Sequence, residues 1–526
     1  MDADEEELFK ILLDTLKHFQ LSTTLRVAGG WVRDKLLGKE SHDIDIAVDD
    51  MLGRELAEKV NEYLQLLGRE TRSVGVISTN PEQSKHLETA TMRVGAIEVD
   101  LVNLRSESYA EDSRIPEMSF GTAEEDALRR DLTINSLFYN INTGLVEDVT
   151  GKGVPDLRAG LVRTPLPPLT TFLDDPLRVL RSVRFATRFG FAYDDDLVQA
   201  GSSNEVRSAL GSKVSPERVG KELEGMFKGP RPARAVEDLY RMKLLPVVFA
   251  LPKADASPPP GIAEGVRQHF GPCVVLSIDA VWRCISAYPL PEGKLEGELR
   301  RLALLAGCFL PLRDVTYAAP KNKQLPVSGY VIRESLKLRT KDGDQTILLH
   351  ECAPKMKELI CQLCPEACTA AGIQRTPAAD ETMHLRVQLG MLLRQLKELW
   401  RVAVVLAVCI DAPGAQGVGE LEDSEVVAKL EALGQEQRDT AADALAASRA
   451  TLCMAVAAEV KRMGLEEVWN LKPLLSGRDI MHVTQAKGPQ VGVLTTKALE
   501  WQLANPDASK EEALAWLAQS HAAPPP

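Results

Sequence analysis

The sequence predicts an α+β fold in which a small α/β head is followed by an all-α remainder. Short strand-like runs alternate with helices over about the first 150 residues, whereas helical periodicity dominates from Asp174 to the end. The 526 residues, 44% of them hydrophobic and 26% charged, suit a globular chain of about three or four structural units. Fibrous and wholly disordered architectures are therefore excluded.

Local patterning places the elements of the head. Residues 5–20 carry apolar side chains at helical spacing and predict a lead-in helix. Two further helices are predicted at Trp31–Leu37 and Leu52–Leu67. Strands are predicted at Arg26–Ala28, His42–Val48, Arg72–Thr79, His86–Val94 and Ala96–Leu104. These elements predict a small mixed β-sheet with helices.

The remainder carries few strand signals. Breaks rich in Pro and Gly, at Pro252–Gly261 and Asp411–Gly419, interrupt its helical pattern. Leu385–Val408 is apolar around much of its circumference and predicts a core helix. We expect three parts, namely a head at 1–150, a helical neck at 151–245 and an all-α body and tail at 246–526.

Charge and targeting signals limit the partners. The net charge of −13 opposes non-specific nucleic-acid binding over the whole surface, so an RNA or DNA partner must meet a local basic patch. No uncharged apolar stretch approaches the roughly 20 residues that a bilayer span needs. The acidic N-terminus resembles neither a signal nor a transit peptide. We expect a cytoplasmic or nuclear protein without membrane contact.

The cysteines fit a reducing compartment, since all nine lie at or after Cys273 and the first half has no disulfide framework. Cys361, Cys364 and Cys368 have the spacing of possible metal ligands, and His350 or Cys352 could be a fourth ligand. That spacing also matches one face of a helix, and a structural role is the favoured interpretation of Cys361, Cys364 and Cys368.

A glycine pair and two carboxylates carry the first chemical signal. Gly29 and Gly30 lie between a predicted strand and helix, where they make a tight turn or let the backbone approach a phosphate. Asp43 and Asp45 are two apart and project from one face of a strand. Adjacent carboxylates repel unless a cation lies between them, and their hard oxygens suit Mg²⁺. The alternative is a solvated acidic strand face.

Three further stretches carry charge near predicted turns and helix ends. Arg129-Arg130-Asp131 is a surface charge run or a ligand site, and the glycine-rich loop Asp148–Leu157 is free to move at low cost. Asp174 and Asp175 lie near a predicted helix N-terminus, where capping is the alternative role. Arginines then recur every three or four residues on that helix, and they predict a phosphate-docking stripe at Arg178, Arg181, Arg184 and Arg188.

These motifs, taken in order, resemble class II tRNA nucleotidyltransferases, the CCA-adding enzymes, which share their family with bacterial poly(A) polymerases. The resemblance covers residues 25–225. A later part, at Lys472–Met481 and Glu500–Pro506, resembles the eukaryotic type, whereas 250–465 offers little guidance. The motifs are Val27–Asp34 with Asp43-Ile44-Asp45, then Arg129–Asn135, Asp148–Leu157, Asp174–Ala186 and Ser215–Leu223.

The resemblance implies template-independent addition of C, C and A to tRNA 3′ ends from CTP and ATP, by a two-metal mechanism with release of pyrophosphate. It implies a nucleotidyltransferase head with Mg²⁺ on Asp43 and Asp45. The third catalytic carboxylate is Glu98 or Asp100, and Asp100 is favoured. Asp148 would belong to a flexible loop. The nucleotide would be bound by Gly29, Gly30, Arg33, Arg130, Asp131, Asn135, Asp175, Arg178, Arg181 and Arg184.

Some departures and alternatives remain. Asp174 stands where many bacterial members carry Glu, and the helix that Pro216 and Arg218 open would brace the nucleotide-binding helix. The rival functions are a poly(A) polymerase and a catalytically inactive RNA-binding homologue. The intact pair Asp43 and Asp45 argues against the inactive homologue. Organelle isoforms from alternative starts are compatible with the sequence, which does not define the oligomeric state.

Overall fold

The computed structural model describes residues 1–41, 43–71, 73–77, 89–108, 117–252, 264–288, 295–319, 323–373, 382–416 and 440–522. The chain divides into two compact units. One comprises Met1–Arg231 with Asp238–Val248, and the other comprises Pro232–Glu237 with Phe249–Pro526. The division into head, neck and body stays a prediction.

The head is built on a mixed sheet, as predicted. Within the described residues it has seven strands in the order β3-β4-β5-β2-β1-β8-β9, and β6 and β7 form a separate antiparallel ribbon. Only the β2–β5 pair is parallel. The strands are β1 Leu25–Ala28, β2 Ile44–Val48, β3 Gly75–Ile77, β4 Thr89–Val94, β5 Ile97–Asn103, β6 Arg105–Ser108, β7 Glu117–Phe120, β8 Phe138–Asn140 and β9 Leu145–Glu147.

All five predicted strands and all three predicted helices of the head have counterparts. Parts of three predicted strands, at residues 42, 72, 78–79 and 86–88, lie outside the described residues. Helices α1 and α3 pack on the sheet. Side chains from both layers, among them Leu12, Ile46, Leu56 and Leu101, are fully buried. The first helices are α1 Ala3–His18, α2 Gly30–Leu36, α3 Gly53–Leu66 and α4 Ala123–Leu128.

The rest of the first unit is helical apart from one short parallel pair, β10 Leu161–Val162 with β11 Ala192–Tyr193. This pair corrects the expectation of an all-α neck, because two-residue strands are too short to show alternation. The helices are α5 Gly153–Ala159, α6 Pro168–Asp174, α7 Leu177–Phe189, α8 Asp195–Gly201, α9 Asn204–Lys213, α10 Pro216–Lys228, α11 Pro232–Arg241 and α12 Leu245–Val248. Residues Pro232–Glu237 of α11 belong to the second unit.

Helix α7 begins later than the sequence suggests. Asp174 ends α6 and Asp175 lies in the link, where the Asp175 side chain accepts from the backbone N–H of Leu177 at 3.2 Å. The helix ends at Gly190, whose φ of 76° is a left-handed conformation that glycine adopts without strain. One face of α7 packs against α10.

The described part of the second unit is helical with one exception. The antiparallel hairpin of β12 Thr316–Ala319 and β13 Lys323–Pro326 corrects the expectation of an all-α body. Its helices are α13 Glu264–Ser286, α14 Gly297–Cys308, α15 Val327–Tyr330, α16 Thr340–Leu363, α17 Pro365–Ala370, α18 Thr382–Leu396, α19 Trp400–Cys409, α20 Thr440–Arg462, α21 Gly477–Thr484, α22 Pro489–Ala504 and α23 Lys510–Ala522.

The core of this unit contains the predicted apolar segment 385–408, which forms α18 and α19 joined by a single 3₁₀ turn. Cys352, Cys361 and Cys368 are buried in the same core. Burial lowers the pKa of His350 to about 4, and its Nε2 contacts the Ala306 carbonyl oxygen at 2.8 Å. Among the described residues, no three His, Cys, Asp or Glu side chains form a metal-binding group, which favours the structural interpretation of the cysteines.

Helix α20 has the length and hydropathy of a possible membrane-spanning helix. By length and composition it is the single described helix that is apolar enough to cross a bilayer. That is weak evidence, because a core helix of a soluble protein passes the same test. Leu452, Cys453, Val456 and Val460 of α20 are buried in the core of the second unit. The helix is therefore read as a core helix, and no membrane contact is indicated.

Candidate functional site

A cleft of about 1210 Å³ in the first unit collects most of the predicted site residues. Strands β1, β2 and β5 contribute to its wall, together with the segment after α4, one side of α7 along its length and the N-terminal part of α10. The predicted residues that line it are Gly29, Gly30, Arg33, Asp43, Asp45, Asp100, Arg130, Asp131, Asn135, Asp175, Arg178 and Arg181.

Three carboxylates lie together on or next to the central strands β2 and β5 of the sheet. Asp45 on β2 lies opposite Asp100 in the parallel β2–β5 register, and Asp43 directly precedes β2. Burial, and then repulsion from Asp43 and from Asp100, raise the pKa of Asp45. Asp100 also accepts a hydrogen bond from the Thr91 hydroxyl at 2.6 Å. Glu98 lies opposite Arg93 instead and is exposed, so the structure places Asp100 beside Asp45.

These carboxylates fit a divalent cation by the chemistry of their donors. Oxygen ligands of this kind are preferred by hard cations. A positive ion would offset both the burial and the repulsion that raise the pKa of Asp45. The described residues hold no group of three or more ligands arranged to bind a metal by themselves. The set is thus suited to a cation that also takes oxygens from a bound substrate.

The turn after β1 brings the chain close to an arginine. Gly29 has a φ of 69°, and a Cβ there would lie 2.7 Å from Nη1 of Arg130. The same Nη1 donates to the carbonyl oxygen of Asn135 at 3.2 Å. Glycine is required at this position both for its backbone conformation and for this close approach.

The guanidinium group of Arg33 is fixed by hydrogen bonds and by two aromatic rings. Its side chain is buried, Nε donates to Asp34 at 2.8 Å, and Nη1 donates to the Asn135 side-chain oxygen. The guanidinium lies 5.0 Å from the ring centre of Phe185 and 4.8 Å from that of Phe189. These contacts tie α2 to α7, so Arg33 lies in the wall of the cleft with little freedom to move.

Asp131 links the segment that follows α4 to helix α7. It is buried, and its Oδ1 accepts from the Asn135 amide at 3.0 Å while its Oδ2 accepts from Arg181 Nε at 2.6 Å. Burial raises its pKa, but the charge of Arg181 and the hydrogen bonds from Asn135 and Arg181 outweigh that effect and hold the pKa below its ordinary value. Asp131 therefore stays ionised and fixes Arg181 of α7 against the head.

Asp175 and Arg178 both line the cleft at the start of α7. The carboxylate of Asp175 receives two bonds from Arg218 of α10, from Nη1 at 3.2 Å and from Nη2 at 2.6 Å. Arg178 is buried, and its Nη1 donates to the Thr171 carbonyl oxygen at 3.4 Å. One acceptor and one donor group are thus presented side by side.

Two predicted residues do not line the cleft. Arg184 turns to α10, where its Nε donates to Glu222 at 2.6 Å and its guanidinium covers the ring of Phe185. Asp148 accepts from the Thr150 hydroxyl and from the Val154 backbone N–H, both at 2.9 Å, and so holds the turn before α5. Nucleotide binding by Arg184 and a mobile role for Asp148 stay predictions.

Several cleft residues were not predicted from the sequence as ligands. Arg105, Arg218 and Lys221 add positive charge, and buried Asp126 binds Arg129 and Arg130 at 2.5 Å and 2.7 Å. Burial raises the pKa of Asp126, but the charges of Arg130 and Arg129 bring it below its ordinary value. The three-residue spacing of Arg218 and Lys221 on α10 was the one available signal.

Comparison with known proteins gives two family models and near full-length relatives. The model of the poly A polymerase head domain matches residues 25–163, and that of a probable RNA and SrmB-binding site of polymerase A matches residues 208–257. The mitochondrial CCA tRNA nucleotidyltransferase of Saccharomyces cerevisiae is 34% identical over 94% of this chain and 87% of its own. The mitochondrial enzyme of that name from Candida glabrata is 32% identical over 98% and 94%.

A solved structure shares the fold. The CCA-adding enzyme of Thermotoga maritima in complex with tRNA superposes with a TM-score of 0.57 at 18% identity, covering 99% of this chain and 96% of that chain. At this identity the likeness concerns the fold alone.

Proposed function

The chain belongs to the CCA tRNA nucleotidyltransferase family, and on that premise we propose that it adds C, C and A to tRNA 3′ ends from CTP and ATP, without a template and with release of pyrophosphate. The observation that carries the proposal is one cleft that combines the carboxylates Asp43, Asp45 and Asp100 with the pair Asp175 and Arg178. The first set suits phosphoryl transfer and the pair suits base selection.

The family implies use of a divalent metal, and we propose Mg²⁺ held by Asp43 and Asp45, with Asp100 as the third carboxylate. When bound, Mg²⁺ would promote ionisation of the RNA 3′-hydroxyl and neutralise phosphate charge. Burial and the repulsion from Asp43 and Asp100, which together raise the pKa of Asp45, support their role. The two-metal form of the mechanism stays a prediction.

The arginines of the cleft would bind the triphosphate. Arg130 is held by Asp126 and stands beside Gly29, and Arg181 is held by Asp131. Groups that are already fixed lose little entropy when they neutralise phosphate charge, and positioning dominates this chemistry. We assign Arg33 and Asn135 to holding this wall, because their side-chain polar atoms bond to one another and to Asp34 and Asp131.

Asp175 and Arg178 would select the base. Cytosine and adenine share an exocyclic amine donor beside a ring-nitrogen acceptor, whereas uracil and guanine present a carbonyl acceptor beside an N–H donor. A carboxylate and a guanidinium complement the first pattern and oppose the second. Unpaired buried groups would then penalise UTP and GTP by about 1 to 3 kcal/mol each.

The test uses purified protein and a tRNA that lacks its CCA end. With CTP alone we expect extension by two residues, and with added ATP one further A and then a stop. Open-ended A tails would support a poly(A) polymerase, and absence of extension with every nucleotide would support an inactive RNA-binding homologue. The near full-length match to CCA enzymes favours the first outcome.

The remaining assignments are proposals of the same kind. We propose a catalytic head at 1–150, a neck for base recognition at 151–245 and a tRNA-binding body and tail at 246–526. The mitochondrial names of the two yeast relatives support an organellar isoform. The cytoplasmic or nuclear location stays a prediction, which microscopy of the tagged protein expressed from its own gene would test.

A further inference from the structure

Arg218 of α10 donates hydrogen bonds to Asp175, which lies in the link before α7. This contact is the basis of one inference, which rests on the proposed function. We propose that Arg218 is a positioning residue that fixes the Asp175 carboxylate, so that the choice of C and A over U and G depends on it. Both terminal nitrogens of Arg218 donate to Asp175, at 3.2 Å and 2.6 Å, one to each carboxylate oxygen. A guanidinium that binds in this way holds the carboxylate plane as well as its position.

The remaining hydrogen-bonding capacity of Asp175 is what a base requires. Oδ1 accepts from Arg218 Nη1 and from the Leu177 backbone N–H, each at 3.2 Å. Oδ2 accepts from Arg218 Nη2 at 2.6 Å, and a carboxylate oxygen has room for a second donor. The exocyclic amine of cytosine or adenine can therefore bind Oδ2 while both bonds from Arg218 persist.

A fixed carboxylate discriminates better than a mobile one. When uracil or guanine brings its carbonyl oxygen to Asp175, two acceptors face each other. A carboxylate free to rotate would turn away and relieve this repulsion, whereas one held at both oxygens retains its full cost. Preorganisation thus converts the Arg218 contact into rejection of the wrong base.

The position of Arg218 allows it to act in this way. Its side chain is 31% exposed and lines the same cleft as Asp175 and Arg178. Two other roles are compatible with this place, namely a simple brace between α10 and α7 and direct binding of the triphosphate. Loss of either role would change kcat/KM for all four nucleotides by the same factor. A change in the ratio of kcat/KM between nucleotides therefore distinguishes the proposal from these two roles.

Lys221 supplies a matched control. It lies one turn further along α10 and lines the same cleft, and no described acidic side chain pairs with it. Lys221→Gln removes the same unit of charge from the same helix without touching Asp175. Arg218→Lys keeps the charge but replaces the planar group with a single ammonium.

The experiment measures the ratio of kcat/KM for CTP to that for UTP, and for ATP to that for GTP, with each variant on the appropriate tRNA primer. For Arg218→Gln we expect each ratio to fall by about tenfold or more, the range that one lost polar contact gives. Arg218→Lys should give an intermediate ratio. Lys221→Gln should raise KM for all four nucleotides and keep the wild-type ratios.

A double-mutant cycle tests whether Arg218 acts through Asp175. In the Asp175→Ala background, Arg218→Gln should change neither ratio further. Each ratio is internal to one preparation, so partial misfolding cancels. Equal losses for all four nucleotides in Arg218→Gln, or an additive loss in the double variant, would overturn the inference. If wild-type protein adds no CCA, the proposed function fails instead.

Discussion

At the residue scale, buried carboxylates decide where the arginines of the cleft point. Asp131 holds Arg181, and Asp126 holds both Arg129 and Arg130. A long charged side chain loses much rotational freedom when it binds a ligand. Because these ion pairs form during folding, the arginines have already lost that freedom before the ligand binds. The cleft therefore offers phosphate-binding groups that are already oriented before the nucleotide arrives.

The carboxylates on and beside β2 and β5 give the first prediction. Asp43→Ala or Asp45→Ala should remove nearly all transfer while leaving the fold and the tRNA affinity close to wild type, because the lost interaction is with the metal and not with RNA. Primer extension, circular dichroism and filter binding measure these three properties. Activity within about tenfold of wild type would contradict the metal assignment, since loss of transition-state stabilisation of this kind is larger.

The base-selecting pair gives the second prediction. Asp175→Ala and Arg178→Ala should lose rate and also discrimination against UTP and GTP, because each removes one of the two groups that match cytosine and adenine. Competition between the four nucleotides on one primer measures this loss. If both variants stay as selective as wild type, base selection lies elsewhere. Their tRNA affinity serves as the control and should change much less.

At the element scale, helix α7 distributes its arginines among different partners. Arg178 and Arg181 line the cleft, whereas Arg184 bonds to Glu222 of α10. A Cβ on Gly225 would lie 2.6 Å from the Arg184 side chain, so α10 leaves space for this arginine only because the residue is glycine. Close packing of two helices thus divides a stripe that looks continuous in the sequence.

Helix α4 gives the third prediction, because its Asp126 anchors the segment that follows it. The pKa of Asp126 is lowered in the folded state, so its stabilising contribution is fully present above its unfolded pKa of about 3.9 and is lost as the pH falls through the folded value. Asp126→Asn should therefore lower the free energy of unfolding at neutral pH and make less difference as the pH falls below about 4.

The expected loss for Asp126→Asn is about 2 kcal/mol at pH 7, less than the roughly 3 to 5 kcal/mol of fully buried pairs. The reason is that Arg129 and Arg130 keep 22% and 21% of their side chains exposed. Urea unfolding of both proteins between pH 3 and pH 7 measures the difference. A loss that is the same at every pH would show that the ion pairs are not its cause.

At the scale of the whole molecule, charge is distributed unevenly. The chain carries a net charge of −13, yet nine Arg and Lys residues line the cleft against seven Asp and Glu residues. A polyanion meets repulsion over most of such a surface and attraction at a few places, which favours one mode of docking.

The fourth prediction follows from this local charge. Binding of tRNA should weaken steeply with added salt despite the acidic composition, because a patch that contacts several phosphates releases counterions whatever the net charge. Fluorescence anisotropy with labelled tRNA between 50 and 200 mM salt measures the slope, and about four contacts would give a loss of order 10². A flat response would contradict the basic-patch interpretation.

The sequence by itself determined the fold class, the order of the first eight elements of the head, from α1 to β5, and twelve of the residues that line the cleft. Local causes suffice for these, since alternation gives a strand such as β2, helical spacing gives α3, and the motif around Gly29 lies within a few residues. Some short β-strands were not predicted from the sequence. The hairpin at 316–326 and the β10–β11 pair are held by partners rather than by their own patterning.

Only the tertiary structure decided which charged groups work together. Asp100 was separated from Glu98 by its register opposite Asp45. Arg181 donates to Asp131, 50 residues earlier in the chain, whereas Arg184 donates to Glu222, 38 residues further along it. The pairing of Asp175 with Arg218 spans 43 residues. The physical reason is that a side chain's charge is visible in the sequence, whereas its hydrogen-bond partner is set by which elements pack against each other.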